Sequence, residues 1–227
     1  MPTYVELCEA LRSRTGVQGV VSTTVDLSGR LLQLANFVKQ ADQDIQRMYV
    51  NWKFLWADWS QTLTADSTYL PPVGMGMFDI DSFWMDAETV DAVKIEYIDW
   101  NKYREEYREA NIDAGFPWFV TIRPEGKIQV VPSPDTDSVG SVLSGEYWRR
   151  PVPLVSDDQV SIIPEQFHEA IIRKAEMMFF EFVGNTGRFT TSGYAFAQAM
   201  KELKSQQLPG NEEEGKSRAS SQVISIL

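Results

Sequence analysis

The chain predicts an α+β fold: a helical bundle formed by its N- and C-terminal halves, an inserted antiparallel β module, and a flexible C-terminal tail. Three observations carry this. A 3.5-residue apolar repeat, the spacing of a helical seam, runs from Leu27 to Leu55. Between Trp59 and Pro153 the apolar period falls to two, as in half-buried strands. Helical spacing returns at Pro164 and ends near Gln206. The expected divisions are 1–58 for the first helices, 59–160 for the β module with a short helix, 161–207 for the last helices and 208–227 for an extended tail.

The first helix is predicted from Thr3 to about Arg14, with Tyr4, Leu7, Cys8 and Leu11 on one face. A loop follows from Gly16 to Gly29, where Asp26 or Ser28 can cap the next helix. That helix carries the repeat: Leu27, Leu31, Leu34, Val38, Ala41, Ile45, Met48, Trp52 and Leu55 are spaced alternately by four and three. If helical throughout it would be ~40 Å long at 1.5 Å per residue. Leu31, Leu34, Val38, Ile45, Trp52 and Leu55 are the candidate seam, packing either on helices of the same chain or on a neighbour's.

The middle section predicts five or six strands. Alternation runs around Phe78, Ile80, Ser82 and Trp84, then through Val93, Ile95 and Tyr97. A short polar helix is expected from Asn101 to Ala110. The segment FPWFVTIRPEGKIQVVPSPD, Phe116 to Asp135, reads as a hairpin turning at Pro124-Glu125-Gly126, with prolines that limit strand extension, in a module offered for contact. GSVLSGEYWRRP supplies another strand. The later helices show stripes at Phe167, Ile171, Ala175, Met178 and Phe182, and at Phe196, Ala199, Met200 and Leu203. The stretch PGNEEEGKSRASSQ lacks any large apolar residue, a composition that cannot order itself, yet Val223, Ile224, Ile226 and Leu227 follow it. These four are candidate interface residues.

With 227 residues, core size is not limiting. The formal charge of −11 argues against nucleic acid as a bound ligand, because phosphate binding is driven by Lys and Arg. No apolar run has the ~18 residues of a membrane span, and Met1–Glu6 lacks the pattern of a signal peptide, so a cytoplasmic origin is expected. One cysteine excludes an intrachain disulfide and a thiolate cluster.

Chemistry finds little to work with. His168 lies in Glu165-x-x-His168, a di-iron spacing that needs a second such pair, but the chain has one histidine. A helix-face histidine is the simpler reading. Asp79 and Asp81 fall on one side of a strand, where a solvated polar face outweighs a glycosidase pair. No nucleotide-binding glycine loop is present. Cys8, between Glu6 and Glu9, reads as a small core residue rather than a reactive thiol. No catalytic, cofactor-binding or metal residue is assigned, and no cofactor is expected. Trp52, Phe54, Trp56 and Trp59 crowd one stretch with Lys53 as its only cation, so core and subunit interface suit them better than base stacking.

The chain resembles the head-to-tail adaptor, or connector, proteins of tailed bacteriophages. The resemblance lies in collinear pieces: YVELCEALRSRTGVQG, DIQRMYVNWKFLWADW, IDSFWM, IEYIDWNKYREEY, GFPWFVTIRPEGKIQVVPSPD, GEYWRRPVPLVSDD, IPEQFHEAIIRKAEMMFFEF and QQLP. It covers Tyr4 to Pro209, departing at Gly16–Val20 and leaving the tail unmatched. It implies a virion structural protein made in the host cytoplasm and placed at the head–tail neck. There it would form a homo-oligomeric, dodecameric ring, with the portal protein above and tail or nozzle proteins below. DNA would pass through the lumen without specific binding, along a wall whose acidity repels phosphate. The alternatives are a stopper or tail-completion ring one layer lower and, remotely, a virion-associated peptidoglycan glycosidase.

Overall fold

A computed structural model describes residues 1–87, 90–110 and 112–209. The chain divides into two compact units. Among the described residues, the first joins Met1–Leu55 with the segment 151–209, and the second spans Trp56–Arg150.

The first unit is helical: α1 (Tyr4–Thr15), α2 (Gly29–Met48), α4 (His168–Phe182) and α5 (Thr186–Gln207). Helix α1 begins at a capping box. Thr3 Oγ1 accepts from the Glu6 amide, and the Thr3 amide donates to Glu6 Oε2 at 2.8 Å. It ends at Gly16, whose φ of 71° is the left-handed conformation a helix C-terminus commonly requires. Tyr4, Leu7, Cys8 and Leu11 are all buried. The Tyr4 hydroxyl donates to the Ala35 carbonyl at 2.8 Å, locking α1 on α2. A two-point Arg14–Glu169 ion pair, 2.8 Å at each oxygen, joins α1 to α4.

Ser28 occupies the N-cap position of α2, but its side chain makes no capping bond, and Asp26 sits at φ 59° in the loop before it. The expected continuous helix to Leu55 is broken. α2 ends at Met48, and the chain re-enters the core through a 3-10 turn at Lys53–Leu55. The Trp52 indole explains why the repeat continues across the break. Its Nε1–H donates to the Ile45 carbonyl at 3.0 Å, satisfying a helix-end acceptor while the ring fills the core. Met48, inside the repeat, is exposed.

In α4 the buried apolar set is Ala170, Ile171, Ile172, Ala175, Phe179 and Phe180, not the full expected stripe. Phe182 is 55% exposed and Met178 only half-buried. Packing against α1, α2 and α5 together selects a wider face than one stripe. Helix α5 starts at Thr186, earlier than Thr190. It buries Ser192, Met200 and Leu203, and leaves Phe196 and Ala199 partly covered.

The second unit is a sandwich of two sheets holding nine strands among the described residues, more than the five or six expected. β1 (Trp56–Thr62), β2 (Thr68–Tyr69), β3 (Met75–Phe78), β4 (Trp84–Ala87) and β5 (Val90–Lys94) come first. β6 (Glu96–Tyr97), helix α3 (Trp100–Glu106), β7 (Phe119–Ile122), β8 (Ile128–Val131) and β9 (Val142–Arg149) follow. One sheet runs β1-β9-β4-β5, with β3 also pairing β9; the other runs β2-β8-β7-β6. All pairings are antiparallel except β6 with β7. Phe78, Phe83, Met85, Ile95, Val120, Ile128, Leu143 and Tyr147 meet in a shared core.

Two expected alternating runs are divided by this architecture. The run through Ile80 and Ser82 bends away from β9 at Asp79–Ser82. Ser82 Oγ takes over there, accepting from the Glu146 amide at 2.7 Å. The phase therefore changes: Phe83 and Met85 point inward while Trp84 is 45% exposed. The run through Val93, Ile95 and Tyr97 crosses between sheets. Ile95 sits buried at the crossing, its amide donating to the Phe83 carbonyl at 2.9 Å, and Val93 lies exposed at the sheet margin.

The hairpin forms as expected, with Arg123 and Lys127 flanking a Pro124-Glu125-Gly126 loop and Gly126 at φ 83°. It is not a surface feature. Every residue from Val120 to Ile122 and from Ile128 to Val131 is buried. Helix α3 packs against β7, and the rings of Tyr107 and Phe119 lie 5.6 Å apart. The polar side chain of Gln129 is satisfied by Thr68 Oγ1 and Arg123 Nε, each at 3.0 Å.

Candidate interaction surfaces

His168, Glu165, Cys8 and Asp79, singled out for chemistry, each have a structural occupation. His168 is 3% exposed at the start of α4, and its Nε2 lies 2.8 Å from the Ile163 carbonyl. With Nε2–H donating, Nδ1 is buried without a partner. Burial holds the imidazole pKa below its ordinary value. Glu165, three residues earlier, instead faces the N-terminal ammonium at 3.4 Å. Among the described residues no group of three His, Cys, Asp or Glu side chains could hold a metal ion. Cys8 is fully buried, and desolvation, reinforced by the Asp157 charge, pushes its thiol up to about 12. Asp79 and Asp81 lie in the turn after β3, not along a strand face, and the Asp79 carboxylate accepts from the Asp81 amide at 3.1 Å.

Sequence reading missed a buried polar network in the helical unit. Asp42, on the core side of α2, is fully buried. It accepts from the Ser161 hydroxyl through Oδ1 and from Gln46 Nε2 at 2.7 Å through Oδ2. Gln46 in turn donates to the Val152 carbonyl at 3.1 Å and accepts from the Val152 amide at 2.8 Å. The network stitches the returning segment 151–163 to α2. Desolvation outweighs both hydrogen bonds and raises the Asp42 pKa to about 6. The signal was present as Asp42 and Gln46 one turn apart beside the apolar repeat.

Of the seam residues, Leu34, Val38, Ile45, Trp52 and Leu55 are at most 1% exposed, and Leu31 is half-buried. Helix α2 makes its contacts with α1 and α4. Val223, Ile224, Ile226 and Leu227 lie outside the described residues.

The exposed aromatics concentrate elsewhere. Trp56, Trp84 and Trp118 are 44%, 45% and 52% exposed, whereas Trp52 and Trp59 are buried. Trp56 stands opposite Trp148 on β9 with ring centroids 6.0 Å apart, and Asp58 stands opposite Glu146 two residues along. Burial, with repulsion from Asp58 and Asp79, raises the Glu146 carboxyl above its ordinary value. A groove of about 310 Å³ passes Asp58, Glu146 and Trp84. No helix of the described residues is long and apolar enough to cross a membrane.

Fold and surfaces together define a mixed α+β protein in which His168, Cys8 and Asp42 are engaged in packing and Glu165 and Asp79 in local ion-pair and turn contacts. The chain belongs to the SU10 adaptor protein family, whose family model matches residues 2–224. The family is one of phage head–tail adaptors, which act as structural components of the virion. The match runs past Pro209, so most of the tail falls inside the family's span, contrary to the expected limit. A search of curated proteins finds no match.

Proposed function

We propose that the protein forms a dodecameric ring beneath the portal of the filled capsid, carries the tail or nozzle below, and lets DNA pass through its lumen. The family match over residues 2–224 is the observation that carries this reading. The net charge of −11 supports it, because an acidic wall gives phosphate nothing to bind as DNA slides past. The seam of Leu34, Val38, Ile45, Trp52 and Leu55 serves the protomer's own bundle, so ring contacts fall on other surfaces. Val223, Ile224, Ile226 and Leu227 anchor the tail 208–227 on the portal or on a neighbouring copy.

Imaging of the virion neck with the protein labelled tests the ring. Density of this chain in contact with the portal is expected; contact with tail proteins alone would favour a stopper ring instead. Truncation after Gln207 should weaken docking to portal-bearing particles, and undiminished docking would remove the tail from that role.

A further inference from the structure

The ring reading leaves the open face of the five-stranded sheet without an assigned role. Register places Trp56 beside Trp148, Asp58 beside Glu146, and Ser60, Ser144 and Trp84 in one row. The groove, lined by Asp58, Ser60, Trp84, Ser144 and Glu146, therefore has a carboxylate floor and one exposed indole wall, and the Trp56–Trp148 pair flanks it two residues beyond Asp58 and Glu146. Neither Asp58 nor Glu146 has a cationic partner within ion-pair distance among the described residues. Lys94, opposite Trp84, stands on the next strand toward the sheet margin. Two adjacent carboxylates between exposed indoles match a cationic side chain followed by apolar ones: the cation relieves repulsion and stacks on indole, and the apolar residues cover the rest.

One stretch outside the described residues has that order. From Gly215 to Leu227 the chain reads GKSRASSQVISIL, with Lys216 and Arg218 first, no acidic side chain, and four large apolar residues last. Lys216 lies seven residues beyond Pro209, a reach of up to about 24 Å when extended. We propose that residues 216–227 of a neighbouring copy dock on this face, Arg218 between Asp58 and Glu146 and the Val223–Leu227 end against Trp56 and Trp84. The proposal rests on the ring reading. A ring is closed by head-to-tail contacts between two different surfaces of each copy, and the sheet face and the tail form such a pair.

The test is a fluorescein-labelled peptide of residues 210–227 titrated into the full-length chain carrying K216E/R218E, which disables its own tail. Because a tethered segment acts at an effective concentration of about 1 mM, a Kd at or below ~1 mM is expected. Receptor variants D58N/E146Q and Trp84→Ser, all at solvent-facing positions, should each weaken binding at least tenfold, as should a peptide with both cations reversed. Unchanged affinity in these variants, or no saturation at several millimolar, overturns the proposal. So does a wild-type receptor that refuses the peptide at every dilution while the tail variant accepts it, since the occupant is then the same chain's tail. The assay needs no ring: a neck without this protein refutes the ring reading whatever the peptide does, and a ring with no peptide binding refutes this docking alone.

Discussion

Replacing Asp42 by asparagine isolates the cost of a buried charge in this bundle. Its carboxyl has a pKa of about 6 in the folded chain against an ordinary 3.8, so between those values the folded state holds a proton that the unfolded chain has released. A raised carboxyl pKa contributes stability that is complete below 3.8 and is lost as pH rises through about 6. At 1.36 kcal/mol per pKa unit, the change is roughly 3 kcal/mol. The asparagine amide can keep both bonds, accepting from Gln46 and donating to the Ser161 oxygen, without ever ionising. Urea unfolding of wild type and Asp42→Asn at pH 7.5, 6, 5 and 4 gives the difference in stability at each pH. Other titrating groups cancel in that difference, including His168, whose lowered pKa makes stability fall as pH drops below about 6.5. Wild type should gain on the variant by about 2.4 kcal/mol between pH 7.5 and 4, about 2 kcal/mol of it between pH 6 and 4, with the rest of the roughly 3 kcal/mol appearing below pH 4. A flat difference would show that Asp42 titrates alike in both states. A difference of opposite sign would show that the Ser161 and Gln46 bonds outweigh desolvation, and would refute the reasoning.

Gly145→Ala should destabilise the sheet unit by about 1–3 kcal/mol, because the added methyl would lie 3.0 Å from two carbons of the buried Phe83 ring. Thermal unfolding measures it, and Phe83→Leu in the same chain should recover part of the loss. Leu34→Ala removes a fully buried seam side chain and should cost about 2–5 kcal/mol in denaturant unfolding; a cost under ~1 kcal/mol would mean the α2 face is not a core. Cys8 should resist thiol reagents at pH 8 in the native protein and react fully once urea unfolds it. Rapid native labelling would contradict its burial.

The order helices, strands, helices was legible in sequence because apolar period is a local property. Leu34, Val38, Ala41 and Ile45 repeat at helical spacing whatever they later touch. The hairpin was legible for the same reason, since Pro124-Glu125-Gly126 determines its turn within a few residues. The polar work of His168 and Asp42 was not, because their partners at Ile163 and Ser161 are supplied by a non-helical segment that no periodicity marks.

Sequence alone determined the order helices, strands, helices, the lone thiol on an apolar helix face, and a net acidic charge. The tertiary structure decided the rest. It stopped α2 at Met48 and kept Trp52 inside through one indole hydrogen bond. It shared the Val93–Tyr97 run between two sheets, and it buried the hairpin while turning Trp56 and Trp84 outward. The physical reason is that alternation says only that one side of a strand is apolar. Which side faces a partner, and whether the other is covered as well, depends on strands and helices distant in the chain, such as β9 across from β1 and α3 over β7.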